Sequence, residues 1–291
     1  MNAIATPSGT SFWRRLTRGV RKLRETPDWS DYAGADWSDR IMQVEVTDRF
    51  FAKQGRSIVR WTLTPAKGKS LTVYLKRHYQ LPWLKGWLAT VIPWRNWSPG
   101  MQEWQNLEWA VQNKLPVPRA VCAGEFIGPG GKLQSFLAVE ELTGMLPLHE
   151  AIPLAKRRLD PVAFRRWKRG LILELARLAK ELHSRRHYHK DLYLCHFYIP
   201  EKLTEAIPAD WQWSVFMIDF HRLGKHRLKG IWYQIKDLAQ LLYSSEIEGV
   251  TTRDQLGFWR AYAGRSGWWN RFLGWGIRRK WRLYRRHNRG S

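Results

Sequence analysis

His189-Lys190-Asp191-Leu192-Tyr193-Leu194-Cys195-His196, followed by Met217-Ile218-Asp219-Phe220-His221, is the stretch that decides the reading of this chain. Asp191 stands one residue beyond a His-Lys pair in a loop, and Asp219 ends a short hydrophobic run. Two carboxylates placed in this way can divide the work of phosphoryl transfer. Asp191 is the candidate base for the proton of an attacking hydroxyl, and Asp219 the candidate ligand for a divalent metal that holds phosphate. His196 offers a ring nitrogen to the same metal, or to Asp219 by hydrogen bond.

Working outward from the loop, Phe164, Trp167, Leu171, Leu175, Leu178 and Leu182 recur at helical spacing and predict a long buried helix from Pro161 to His183 that leads into it. Tyr193, Phe197 and Ile199 alternate as a small hairpin would, and Val215 to Ile218 reads as a strand before Asp219. Ile231 to Tyr243 reads as an apolar helix. Asp237 on that helix is placed to accept hydrogen bonds from the loop backbone, with His189 as a second structural support.

Nearer the N-terminus, alternation in Ile41 to Val46, Ser57 to Leu63 and Leu71 to Leu75 predicts antiparallel strands. Val121 to Phe126 and Ser135 to Glu140 add two more around a Gly128 to Gly131 turn. Pro99 and Gly100 open a helix that runs to Asn113 and is stopped by Leu115-Pro116-Val117-Pro118. Lys76, at the end of Leu71-Thr72-Val73-Tyr74-Leu75, can neutralise phosphates if a helix carboxylate orients it. Glu103 is the candidate partner and Glu108 its rival on another helix face.

In so basic a chain a single Lys is ordinarily a solvated charge, and the order of the parts is what raises it above that. Strand Lys, helical Glu, Asp191 loop and Asp219 follow one another as in the protein-kinase-like fold. The fold class expected is therefore α+β and two-lobed, with an antiparallel N-lobe sheet and a mainly helical C-lobe. Gly55, in Phe50-Phe51-Ala52-Lys53-Gln54-Gly55-Arg56-Ser57, falls where a phosphate-covering loop would lie, although protein kinases place three glycines there. Glu140 and Leu142 fall where the segment between lobes presents backbone groups to adenine. The organisation expected is a basic arm over 1–40, an N-lobe over 41–142 with a Trp-rich insertion at 81–97, and a C-lobe over 143–291 ending in a basic, Trp-rich tail.

The 291 residues carry 49 Lys and Arg against 25 Asp and Glu, a formal net charge of +24, so the partner should be anionic. The 19 Trp favour a membrane-water interface over nucleic acid, since an indole beside Lys or Arg suits headgroup depth and no nucleic-acid-binding motif accompanies the basic residues. No apolar run is long enough to span a bilayer, and the N-terminus lacks the apolar core of a secretory signal. Cys122 and Cys195 form no disulfide framework. A cytoplasmic protein, peripheral on the inner face of the membrane, is expected.

Leu75-Lys76, Glu103-Trp104, His189 to Phe197, Ile218-Asp219-Phe220-His221-Arg222 and Lys236-Asp237-Leu238-Ala239-Gln240-Leu241-Leu242-Tyr243-Ser244 together resemble the bacterial lipopolysaccharide kinases, the Kdo and core-heptose kinases of the protein-kinase-like superfamily. His at position 196, where protein kinases have Asn, and His-Arg after Asp219 make the resemblance specific. It implies ATP and Mg²⁺, and as acceptor a sugar hydroxyl of a membrane glycolipid. It also implies Asp191 as base, Asp219 as metal ligand, Lys76 as phosphate ligand and Glu103 as its ion-pair partner. Lys190 and Phe220 depart from the Arg and Leu expected there, and neither the Trp83 to Trp97 stretch nor the chain after Gly257 matches the family pattern. A noncatalytic kinase-like module that binds anionic lipid or nucleic acid, and a kinase with a soluble acceptor, are the competing readings.

Overall fold

A computed structural model describes residues 10–45, 49–53, 55–65, 68–264 and 267–288. The chain divides into two compact units, residues 1–109 with 118–142, and residues 110–117 with 143–291.

The first unit contains α1 (Phe12–Thr17), β1 (Val20–Glu25), α2 (Trp29–Ala33), α3 (Trp37–Arg40), β2 (Arg49–Lys53), β3 (Arg56–Leu63), β4 (Leu71–His78), α4 (Trp83–Val91), most of α5 (Pro99–Gln112), β5 (Ala120–Ile127) and β6 (Leu133–Glu140). Among the described residues six strands form one antiparallel sheet in the order β1-β5-β6-β4-β3-β2. In β4 the period-two pattern puts Leu71, Val73 and Leu75 in the core and leaves Lys76 on the opposite face.

Residues 10–40 are part of this core, contrary to the expectation of an arm. β1 pairs along its whole length with β5. Trp29 and Trp37 are buried, packed edge-to-face on each other at 6.0 Å and, through Trp37, on Phe136 at 5.7 Å. Lys22 and Glu125 form a buried ion pair at 2.8 Å, and Lys22 Nζ also donates to the Arg95 carbonyl. The other Glu125 oxygen accepts from the backbone N–H groups of Trp97 and Ser98, just ahead of α5. The strand expected over Ile41 to Val46 does not form within the described residues, and Val46 lies outside them. Ile41 closes α3, and the carbonyls of Ile41 and Val44 accept from the buried Arg77 guanidinium in place of a sheet partner.

α5 approaches the sheet at backbone contact. A Cβ at Gly100 would stand 2.4 Å from the Phe136 carbonyl oxygen, so only glycine fits there. α4 buries Gly86, Ala89 and Thr90 and turns Trp83, Leu84, Trp87 and Val91 to solvent.

The second unit contains β7 (Met145–Pro147), α6 (Leu148–Arg158), α7 (Pro161–Ser184), β8 (His187–Tyr188), β9 (Phe197–Pro200), β10 (Phe216–Met217), β11 (Gly224–Lys225), α8 (Gly230–Ser244), α9 (Thr252–Ala263) and α10 (Trp268–Asn288). α7 starts at an Asp160 cap that accepts from the N–H groups of Val162 and Ala163, with Pro161 at the first helical position. Its expected apolar stripe is buried from Phe164 to Leu182. Three short strands, β10-β9-β7, and the β11-β8 pair bracket the loop that carries Asp191. The segment after Gly257, expected as a tail, supplies the end of α9 and all of α10. Its N-terminal half exposes Trp268, Trp269, Phe272 and Trp275, and Arg279 lies against the Trp275 ring at 5.6 Å. No helix among the described residues is long and apolar enough to cross a membrane.

These contacts set an expectation for the N-terminal segment. Trp29→Ala should destabilise the protein by about 3–5 kcal/mol, and Lys22→Met by a similar ~3–5 kcal/mol because Glu125 would keep an unpaired buried charge. The exposed Trp13→Ala should change stability by no more than about 0.5 kcal/mol. Chemical denaturation of the full chain reads all three, and equal, small effects would mean that this segment is not part of the core.

Candidate functional site

Each unit carries part of the constellation expected from the sequence. In the first, Lys76 on β4 and Glu103 on α5 meet at 2.7 Å, and the Glu103 side chain is 5% exposed. Glu103 belongs to the buried face of α5 with Met101, Trp104 and Leu107, whereas Glu108 is half-buried, which decides between the two. Gly55 has φ +74° and sits in the tight connection where Lys53 pairs with Arg56, so the turn itself requires glycine. Gln54 lies outside the described residues. The Glu140 carboxylate pairs with Arg119 at 2.9 Å and its N–H donates to the Arg119 carbonyl. Leu142 closes this unit.

In the second unit, α8 holds the loop peptide by peptide. Asp237, fully buried, accepts from the backbone N–H of His189 at 2.8 Å. Lys236 donates to the Lys190 carbonyl, Gln240 Oε1 accepts from Leu192 N–H at 3.3 Å, and Ser244 Oγ accepts from Leu194 N–H at 2.8 Å. These residues lie on one helix face at the spacing of successive turns. Asp237 was legible in the sequence. Gln240 and Ser244 were missed because a neutral side chain in an apolar helix announces nothing, although their one-turn spacing beyond Asp237 was visible.

Gln240 also donates to Asp191 Oδ1 at 3.2 Å, while Asp191 Oδ2 faces Arg222 at 3.5 Å. Lys190, immediately before it, has φ +63°, and Asp219 has φ +65°. Such conformations are uncommon in non-glycine residues, and among these Asp tolerates them best. Lys190 directly precedes the Asp191 carboxylate, and Asp219 is itself a carboxylate of the candidate site.

His189 is buried, and the loss of solvation pulls its pKa below the ordinary histidine value, with smaller contributions from nearby charges. The neutral ring donates from Nε2 to the Ile218 carbonyl at 3.0 Å, joining the Asp191 loop to the segment that delivers Asp219. Its edge-to-face contact with the buried Phe220 at 5.3 Å fixes the same junction.

His196 donates from Nδ1 to the Asp191 carbonyl at 2.7 Å, which turns Nε2 toward Asp219 Oδ2 at 3.9 Å. Burial alone would draw its pKa down, but hydrogen bonding to Cys195 and to the Asp191 carbonyl, with the Asp219 charge, carries it above the ordinary value. His221, part of the motif read from the sequence but given no role there, donates from Nδ1 to Asp219 Oδ1 at 2.6 Å. One donor atom each from Asp191, Asp219 and His221 lie within 4.8 Å of one another. Two carboxylates at the centre of such a set fit Mg²⁺, a hard cation that takes few protein oxygens and leaves positions for water and phosphate. Asp219, which His196 and His221 approach, is the candidate shared ligand.

Comparison with known proteins identifies a family. The family model described as lipopolysaccharide kinase (Kdo/WaaP) matches residues 97–262, more than half of the chain. The lipopolysaccharide core heptose(I) kinase WaaP of Pseudomonas aeruginosa is 30% identical over 161 residues, 55% of this chain and 58% of that protein. The Escherichia coli K12 protein of the same description is 30% identical over 130 residues, 45% of this chain and 47% of its own length. The matched segment thus spans only about half the length of these relatives. A solved structure described as WaaP in complex with acyl carrier protein superposes with a TM-score of 0.65 at 24% identity, over 90% of this chain and 99% of that one, and so shares the fold. By the family model, and with the expected kinase-like architecture in place, the chain belongs to the lipopolysaccharide kinase (Kdo/WaaP) family.

Proposed function

We propose that the protein transfers the γ-phosphoryl group of ATP to a sugar hydroxyl of a membrane glycolipid, a Kdo or heptose of the lipopolysaccharide inner core. The observation that carries this reading is the clamp of α8 on the Asp191 loop. It fixes one Asp191 oxygen through Gln240 while the other faces Arg222, and Asp191 and Asp219 belong to one small group of donors.

Asp191 orients the acceptor hydroxyl and takes its proton as the sugar oxygen bonds to the γ-phosphorus and the bond to ADP breaks. Asp219, with Asp191, His196 and His221 nearby, would hold Mg²⁺, which when bound would supply charge neutralisation for the triphosphate. Lys76, kept extended by Glu103, contributes a second positive charge for the nucleotide phosphates. Gly55 serves the turn over the phosphates, and the backbone at Glu140 and Leu142 serves the adenine. His189 and Asp237 position the loop and touch no substrate.

A lipid-borne acceptor accords with the surface. Trp83, Leu84, Trp87 and Val91 form an exposed apolar face on α4, and Trp268, Trp269, Phe272 and Trp275 form an aromatic one on α10. Indole rings at headgroup depth beside Arg or Lys hold a protein to the interface without a spanning helix, each cation adding on the order of 1 kcal/mol at an anionic surface. The enzyme works from the inner face of the membrane, where ATP is available.

Three measurements test this reading. Purified protein with ATP, Mg²⁺ and a lipid A-core glycan should transfer phosphate, and Asp191→Asn should lower kcat about a thousandfold while ATP still binds. Absence of any glycan-dependent transfer by the wild type would overturn the reading. Gln240→Leu, which frees the Asp191 carboxylate to rotate, should lower kcat about tenfold to a hundredfold with the KM for ATP unchanged. In vesicle flotation, Trp268→Ser/Trp275→Ser should weaken binding to anionic vesicles about tenfold, and zwitterionic vesicles should bind poorly in either case.

A further inference from the structure

The open side of Asp191 is surrounded by positive charge. Arg222 stands 3.5 Å from Asp191 Oδ2 with half of its side chain exposed. Lys236 reaches from α8 to the Lys190 carbonyl, one peptide from the base. Burial first, then the charges of Arg222 and Lys280, hold the Lys236 ammonium below its ordinary pKa against the opposing pull of Asp191 and Asp237. Lys280 comes from α10 and rests on aromatic rings, its Nζ 5.3 Å from the Trp232 centroid and 5.5 Å from that of Tyr284. Among the described residues no carboxylate is within ion-pair distance of Lys236 or Lys280.

Asp191 and Asp237 answer this crowding only in part. Asp237 is fully buried and bonded to the His189 backbone, so Asp191 is the carboxylate within reach of Arg222, and it is the proposed base. Cations that repel one another beside a partly exposed carboxylate match a ligand that brings its own negative charge. The rings supply the rest of a sugar site. Trp232 is exposed and can stack on the apolar face of a pyranose. The Tyr284 phenol, pushed up to about 12 by burial and then by Tyr193, Asp191 and Asp237, stays protonated and offers a hydroxyl donor. Its ring stands 6.0 Å from that of Tyr243 on α8, which fixes α10 against the loop side of the unit.

We propose that Arg222, Lys236 and Lys280, floored by Trp232 and Tyr284, form an acceptor-side subsite that takes a phosphate or carboxylate group of the sugar whose hydroxyl faces Asp191. The inference rests on the phosphotransferase reading and adds to it where the acceptor binds and which group it presents. Lys280 and Tyr284 lie beyond residue 262, where the match to the family model ends, so this wall of the subsite belongs to the chain's own C-terminal helix.

The test is calorimetric binding, without ATP, of a deacylated inner-core oligosaccharide to the full-length protein. Three forms of the oligosaccharide are used: untreated, phosphatase-treated and carboxyl-reduced. Arg222→Gln/Lys280→Gln should weaken binding of the untreated form about tenfold or more. The charge-matched control Arg165→Gln/Arg169→Gln, on the exposed face of α7, should weaken it less than about threefold. The treatment that removes the recognised group should bring wild type and double variant to the same affinity, which separates phosphate from carboxylate. In transfer assays the double variant should raise the KM for acceptor and leave the KM for ATP unmoved. Equal losses in the two double variants, no loss in either, or no binding by the wild type would each overturn the subsite. Acceptor binding lost in the Arg222/Lys280 variant, with no phosphate transfer by the wild type, would keep the subsite and overturn the phosphotransferase reading.

Discussion

A carboxylate with no access to water must have its charge answered inside the protein, and Asp237 is such a carboxylate. Its Oδ2 accepts from the His189 backbone at 2.8 Å and lies 3.4 Å from His183 Nε2. The proton order behind that contact follows from the donors available. Gln234 donates to the Tyr262 hydroxyl, which is therefore free to donate to His183 Nδ1, leaving the proton on Nε2 directed at Asp237. One chain of hydrogen bonds thus runs from α9 through α7 to α8 and ends on the first peptide of the Asp191 loop. A buried residue fixes the loop that carries the proposed base.

The first unit solves a comparable problem with a different partner. Glu125 is as buried as Asp237, but it is paired with a Lys, and its second oxygen gathers the two N–H groups ahead of α5. Taking both charges out of water is costly, and removing one partner alone costs more than the pair contributes. What the pair specifies is geometry. It ties β1, β5 and the start of α5 together, and α5 then carries Glu103 to Lys76. The Lys76–Glu103 ion pair is positioned by a second ion pair that is almost wholly buried.

The legible and the illegible parts of the sequence divide along the same line. The placement of Asp191 and Asp219 could be read because it depends on local chain geometry, a loop after a helix and a residue after a strand, which neighbouring residues encode. The Lys76–Glu103 pair could be read once strand and helix were placed in order. Residues 10–40 could not, because α2 and α3 are too short to show a helical period and their Asp, Ser and Gly content reads as linker. Trp29 and Trp37 were the available signal, two large apolar side chains in a polar segment that would otherwise have no reason to carry them. Ile41 to Val46 was misread for a related reason. Alternation predicts a strand only if a partner edge is available, and here the buried Arg77 guanidinium takes the carbonyls first.

The same contrast separates chemistry from recognition. Asp191, Asp219, His196 and the α8 face all fall within the segment that matches the family model, and their contacts are made by residues close in sequence or one helix away. α10 lies outside that segment, yet it packs on α8 through Tyr243 and Tyr284 and brings Lys280 against Trp232. A helix that is aromatic on its exposed N-terminal half and basic beyond it can meet a lipid surface with one part and a charged sugar with another. The proposed transfer step would require sub-ångström placement, which short, buried connections supply. Recognition of a large anionic acceptor tolerates more slack, and it can be entrusted to a helix appended after the machinery is complete.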